Sequence, residues 1–370
     1  MKKIMPFIKC VGFLAGLALI LGVCDYCFAP SGYVRFILHE MNKKETNYDT
    51  LVLGASHARS AISPDFIDEQ LGTNTLNIAV PGATVDDSYY MLKDACDSND
   101  VKTVIIDVDY QYWVEAQPTA YFTEAFICRN ITDLDVKLEY YWNKMDSIDI
   151  RNVVTRRLSW DCSPKSVKRN LKVKRTQGYK NYQIEAAGVD GKVEGADGPY
   201  MGKGFFYRIT FGGKPGGADY INLWIERQYA GIDPNVREQF QRIIDYCNKK
   251  NIKIICVTSP IAPSAMKTLG MERVHNTLKT AFDEWGVEYY DFNLALMSVV
   301  PRDDIDYGDL EGHMGGELAQ EYSAVLGKLL KDAQDGELDR SQYFYSSFEE
   351  MYGTMKTDYT KATGNAWEGY

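Results

Sequence analysis

The chain has 370 residues, of which 45% are hydrophobic and 25% charged, a balance that suits a folded domain with a full core and excludes a disordered chain. Its formal net charge of -10 argues against nucleic acid as a partner, because a phosphate backbone calls for a basic face. Of the eight cysteines, Cys10, Cys24 and Cys27 lie in or beside the first apolar segment and the others form no C-x-x-C pair, so no disulfide-stapled scaffold is expected.

Lys2, Lys3 and Lys9 precede an uncharged stretch over 10–24, and Asp25 follows it. Basic residues before an apolar run predict a membrane anchor within 1–30, with its start in the cytoplasm and everything after about residue 25 outside. No small-x-small site follows the run, which favours an uncleaved anchor over a signal peptide. A lipoprotein signal fits poorly, since Val23 stands before Cys24.

Residues 48–330 read as an α/β domain. Five apolar runs, over 50–55, 75–80, 102–108, 252–258 and 287–292, alternate with amphipathic stretches. That alternation is the pattern of βαβ units and predicts a five-stranded parallel sheet. Ser63-Pro64-Asp65 opens a short helix with proline at its first position. Thr84-Val85-Asp86-Asp87 caps a longer one to about Asp97, with acids in the first turn to complement the dipole. Further helices are predicted over 234–250, 265–285 and 315–331.

An insertion from about 110 to 232 breaks the alternation. Its aromatic residues include Tyr140, Trp160, Tyr179, Tyr182, Phe205 and Phe206, which suit either a sugar-binding surface or a small core of the insertion's own. The basic piece from Lys165 to Lys180 reads as a solvated loop, and 188–217 as loops and short hairpins. From 331 to 370 a polar tail is expected, docking on the domain through Tyr343-Phe344-Tyr345.

The first apolar run ends in Gly54-Ala55-Ser56-His57. Small residues let the backbone turn tightly, leaving Ser56 at the carboxyl edge of the sheet, either as a nucleophile or as a capping serine in an ordinary strand-to-helix loop. A nucleophilic serine needs a base and oxyanion donors. Of the four histidines, His39 and His275 lie in helical stretches and read as surface residues. His313 follows the fifth run within Asp306-Tyr307-Gly308-Asp309-Leu310-Glu311-Gly312-His313, just before the last helix, which returns it to the edge that carries Ser56. A carboxylate a few residues earlier could fix its tautomer. His57 is expected to point away from Ser56 and either cap the helix or line the pocket. Gly82, in the turn after the second run, and the amide after Ser56 are the candidate oxyanion donors. The third run ends in Asp107-Val108-Asp109-Tyr110-Gln111, and Asp109 would oppose an oxyanion unless turned aside to orient another group.

This arrangement resembles the SGNH/GDSL hydrolase superfamily over roughly 48–115 and 235–330. Ser56 in Gly54-Ala55-Ser56 matches the nucleophile motif, Gly82 the second-block glycine, and His313 the histidine of the terminal Asp-x-x-His. The third block carries Asp107, Asp109 and Gln111 where the family has an asparagine donor. Strict spacing puts Leu310 at the aspartate position, so Asp309 and Glu311 both remain candidates for the third triad member. The resemblance implies a three-layer, flavodoxin-like sandwich with Ser56, His313 and Asp309 catalytic and Gly82, His57, Asp109 and Gln111 around the pocket. With the anchor, the chain is most similar to membrane-anchored members that work in bacterial envelope acylation. That implies a single-pass plasma-membrane protein whose outward-facing domain transfers or hydrolyses O-acyl groups on a cell-surface glycan or teichoic-acid-type polymer, alongside a membrane-bound O-acyltransferase. The serine chemistry requires no cofactor, and no metal cluster is expected because the histidines are few and scattered. The alternative is a non-catalytic module that binds glycan or scaffolds the acyltransferase.

Overall fold

The structure is a computed structural model that describes residues 4–114, 121–144, 155–187, 198–209, 231–309 and 312–367. Its centre is a parallel sheet of β1 (Thr50–Leu53), β2 (Thr75–Asn77), β3 (Thr103–Asp107), β6 (Lys253–Thr258) and β7 (Glu288–Asp291), in the order β2-β1-β3-β6-β7. A separate antiparallel hairpin pairs β4 (Tyr200–Gly202) with β5 (Phe205–Phe206). Leu51, Val52 and Leu53 are fully buried, as a strand covered on both faces requires. Regular pairing of β2 ends at Asn77, yet Ile78 N donates to Val52 O (3.0 Å) and Val80 N to Gly54 O (3.2 Å). The predicted run over 75–80 therefore follows β1 to its last residue and brings the next turn beside Gly54.

Two helices, α1 (Ile4–Phe28) and α2 (Val34–Met41), precede the sheet. The short α3 (Ser56–Ala61) and α4 (Pro64–Leu71) link β1 to β2, and α5 (Val85–Ser98) links β2 to β3. After β3 come α6 (Tyr110–Trp113), α7 (Tyr121–Asn130), α8 (Leu134–Asn143), α9 (Pro164–Lys174), α10 (Gln177–Lys180) and α11 (Ile184–Ala187). Following the hairpin, α12 (Pro234–Lys250) leads to β6, and α13 (Pro263–Thr268) with α14 (Met271–Trp285) leads to β7. The predicted helix over 265–285 is thus two helices, because Gly270 stands between them at φ +65°. The chain closes with α15 (Gly316–Asp335), packed along α3 and α4, and α16 (Phe348–Thr363); α12 packs along α5.

The insertion's rings divide between the interior and the surface, with Trp142 exposed. Tyr140, Phe205 and Phe206 are buried, and the Arg35 guanidinium lies 3.9 Å and 4.3 Å from the ring centres of Tyr179 and Tyr182. His39, expected on the surface, stacks on Tyr182 at 3.6 Å. The basic piece expected as a loop contains α9, started by Ser163 accepting from Ser166 N and by Pro164 at the first helical position. The tail docks through Leu296 N donating to Tyr343 O and Tyr345 N donating to Leu294 O, both 2.9 Å, and then forms α16.

Residues Met5–Phe28 of α1 form one helix long and apolar enough to cross a membrane. At 1.5 Å per residue it spans about 36 Å, against roughly 30 Å of bilayer hydrocarbon. Phe7, Phe13, Leu14 and Leu19 are exposed along it. Its last turn is gripped by the insertion. Asp25 accepts from Arg156 N (2.7 Å) and Nη2 (2.8 Å) and from Trp160 Nε1 (3.0 Å). Lys174 Nζ donates to Tyr26 O (2.8 Å) and Ala29 O (2.6 Å).

Candidate active site

The order of strands reverses between β1 and β3, and in open α/β sheets the crevice at that reversal, beyond the carboxyl ends of the strands, is where ligands bind. Gly54 makes the turn there. Its φ is +146°, and a Cβ in its place would stand 2.8 Å from Ala58 Cβ and 3.2 Å from Asp107 O, so only glycine lets β1 end this close to β3. Ala55 is the N-cap residue of α3 and Ser56 its first helical residue, where helix geometry supplies no intrahelical partner for the amide. Ser56 is half-buried, and its Oγ makes no hydrogen bond among the described residues. Gly82 is buried at φ +77° in the turn that the extension of β2 carries to Gly54, and its amide likewise has no partner among the described residues.

His313 reaches this edge on a closed loop. Tyr307 bridges to Met314, and Gly308 N donates to His313 O at 2.9 Å. Asp309 organises the loop: Oδ1 accepts from Gly312 N and His313 N, both at 3.3 Å, and Oδ2 lies 2.8 Å from His313 Nδ1. Gly312, at φ +119°, is packed so closely that a Cβ would come within 2.4 Å of Ile261 Cγ2. Burial by itself would raise the pKa of Asp309, but the His313 hydrogen bond and charge and the Arg208 guanidinium hold it well below the usual carboxylate range. An ionised Asp309 keeps the ring proton on Nδ1 and leaves Nε2 as the nitrogen turned to other partners. The loop thus places the bonded aspartate four residues before the histidine. Glu311 lies outside the described residues.

His57 neither caps α3 nor reaches solvent. It is 4% exposed, its ring centre is 4.9 Å from that of His313 at 74°, and its Nδ1 is 3.4 Å from Asp109 Oδ2. That last distance is an ion-pair separation without the alignment of a hydrogen bond. Asp109, whose orientation sequence left open, is turned toward His57 and also caps α6 by accepting from Gln111 N at 3.0 Å. The Gln111 side chain is placed beside this cap, and its Nε2 is a buried donor with no partner among the described residues.

The second acid of the strand end, Asp107, is buried under the turn and accepts from Ser259 N (3.1 Å) and Oγ (3.0 Å). Burial, which outweighs these bonds, pushes its pKa up to about 7, with the Asp109 charge acting the same way. One of the two carboxyls therefore carries much less charge near neutrality than its formula suggests. Between them, Gly54, Ala83, Thr84, Val85 and Trp113 enclose a pocket of about 10 Å³, room for a single water.

Ser56, His57, Gly82, Asp109, Gln111, Asp309 and His313 all stand at this one edge of the sheet. His275 does not: it bonds Asp291 (2.8 Å) and packs on Phe348 (5.7 Å). Sequence reasoning missed Arg208. It sits in the insertion, its Nη2 is 3.2 Å from Asp309 Oδ2, and its carbonyl accepts from Gly316 N at 2.8 Å, tying the insertion to both the histidine loop and the start of α15. No spacing rule links 208 to 309, so only the folded chain shows the contact. No protein-family model and no curated protein matches this sequence.

Proposed function

We propose that the protein is a membrane-anchored, serine-dependent acyltransferase or esterase of SGNH type, acting on O-acyl groups of a cell-surface glycan or teichoic-acid-type polymer. The observation that carries the reading is the Asp309–His313 pair, joined at 2.8 Å and set with its ring against His57, the residue next to Ser56. The strand order, with helices packed in two groups, supports the three-layer, flavodoxin-like form of the sheet. In this reading His313 Nε2 takes the proton of Ser56 Oγ as the oxygen attacks the acyl carbon. The amides of Gly82 and of the residue after Ser56 receive the oxyanion. His313 then gives the proton to the departing alcohol, leaving an acyl-Ser56 ester. A glycan hydroxyl or water repeats the sequence in reverse, its proton passing to His313 and back to Ser56 as the ester is released. The serine–histidine hydrogen bond, absent between these side chains, forms when substrate seats, as such contacts often tighten only then. No cofactor or metal enters these steps.

The anchor is uncleaved, because no small-x-small site follows the apolar run, and its end holds the insertion through Asp25, Tyr26 and Ala29. The basic residues before α1 support a bacterial plasma-membrane protein with its domain outside, where a membrane-bound O-acyltransferase would supply or share the acyl group. Asp109 at the strand end, where the family's donor stands, favours a second reading: a non-catalytic glycan-binding or scaffold module. Hydrolysis of an aryl acetate separates the two. The enzyme reading expects wild-type turnover that falls at least about a thousandfold in Ser56→Ala. Equal background rates in both proteins would leave the scaffold reading standing.

A further inference from the structure

The charge of the molecule is strongly uneven. Against a formal net charge of -10, helix α9 and its C-cap present Lys165, Lys168, Lys172 and Arg175 to solvent. Their spacing of three, four and three residues puts all four on one face. The opposite face, with Ser166, Asn170, Val173 and Lys174, is buried. None of the four exposed cations makes an ion pair or hydrogen bond among the described residues, whereas many other cations among them are paired, including Lys144, Lys203 and Arg242.

The place of this helix gives the charge its meaning. Its buried face closes the end of the apolar helix α1: Lys174 bonds the carbonyls of Tyr26 and Ala29, and Asn170 Nδ2 those of Cys27 (3.2 Å) and Phe28 (3.3 Å). Just before α9, Asp161 N donates to Phe28 O at 3.0 Å, and the Trp160 ring packs edge-on to Phe28. With Tyr26, Trp160 supplies the amphipathic rings that sit at a membrane–water boundary. The basic face is therefore no more than one helix diameter, roughly 10–12 Å, from the end of the membrane-crossing segment. That matches the screening length of about 8–10 Å in physiological salt, within which an anionic surface attracts juxtamembrane cations.

We propose that the Lys165-Lys168-Lys172-Arg175 face of α9 binds the phosphate headgroups of anionic phospholipids in the leaflet from which α1 emerges. The rest of the acidic domain is repelled by the same surface, so this contact fixes which side of the domain faces the membrane. The proposal rests on α1 spanning the bilayer and is independent of the acyl chemistry.

The test uses the full chain reconstituted in nanodiscs of phosphatidylcholine alone or of phosphatidylcholine with one third phosphatidylglycerol. Acetylation of individual lysines by an amine-reactive ester is followed by peptide mass spectrometry. Lys165, Lys168 and Lys172 are expected to react about fivefold more slowly in the anionic discs, the factor that corresponds to the usual attraction of one such charge, and to recover in high salt. Lys249, exposed on α12, should react alike in both. The variant K165Q/K168Q/K172Q/R175Q should lose preferential retention of phosphatidylglycerol in native mass spectrometry with an unchanged melting temperature. Equal rates in the two discs would overturn the proposal. So would protection by soluble poly(glycerol phosphate) in neutral discs that matches the protection given by the lipid, since the face would then read a polymer.

Discussion

Asp309 shows how a single carboxylate can hold a loop and an imidazole together. Its Oδ1 holds the amides of Gly312 and His313 while Oδ2 holds the imidazole and faces Arg208, so its place four residues before His313 follows from the loop it closes. Asp309→Asn is expected to lower kcat by about a thousandfold to ten-thousandfold by upsetting the tautomer, and Glu311→Gln to leave it within about threefold. Steady-state kinetics on an aryl ester decides between them; the reverse pattern would assign the third triad position to Glu311. Asp107 predicts an effect on stability. An acid whose folded pKa rises from 3.8 to about 7 holds its proton more tightly when folded, so stability falls as pH climbs through that interval and the whole cost is present above it. Asp107→Asn can still accept from Ser259 N and removes the cost. Its melting temperature should rise by about 2–4 °C at roughly pH 8 and stay near the wild-type value at roughly pH 4. An equal loss at both pH values would show that the carboxyl is needed for packing rather than tolerated as a charge.

At the scale of elements, the insertion is bound to the sheet through the start of α5. Thr84 and Asp87 form a reciprocal cap there, and Asp87 also accepts from Lys144 (2.6 Å) and Tyr140 (3.0 Å) at the end of α8. Asp86 beside it pairs with Arg242 of α12 at 2.8 Å. Burial disfavours the Asp87 charge, but Lys144 and the cap overcome it and hold the acid below its ordinary range. Lys144→Ala leaves that buried charge without its cation, and chemical denaturation should show a loss of about 3–5 kcal/mol. A loss under about 1 kcal/mol would mean that the insertion is held chiefly by its apolar contacts. The caps were readable in advance at Thr84 and Pro64. The same logic applies at Ser163-Pro164 and at Ser347 with Glu350, where the sequence reading set composition above capping chemistry and expected a loop and a tail. Within the run over 265–285, the φ of +65° at Gly270 ends one helix and starts another, a break that apolar periodicity alone does not mark.

Across the whole molecule, the parallel sheet was legible because β1, β3 and β6 are buried on both faces and so read as unbroken apolar runs. The edge that gathers Ser56, Gly82, Asp109 and His313 was legible because turns after parallel strands all open at one end. What could not be read was which way His57 turns and that Arg208 reaches Asp309, since both depend on contacts between residues far apart in the chain. The aromatic insertion was equally opaque: Trp160, Tyr179 and Tyr140 brace α1, α2 and α5, while Trp142 stays exposed. In the proposed reading this edge makes Ser56 a nucleophile. Intact-protein mass spectrometry after treatment with a fluorophosphonate tests it most directly. One covalent adduct is expected, mapped to Ser56, absent from Ser56→Ala and formed much more slowly in His313→Gln. A wild-type protein that stays unmodified, or an adduct on another residue, would contradict it.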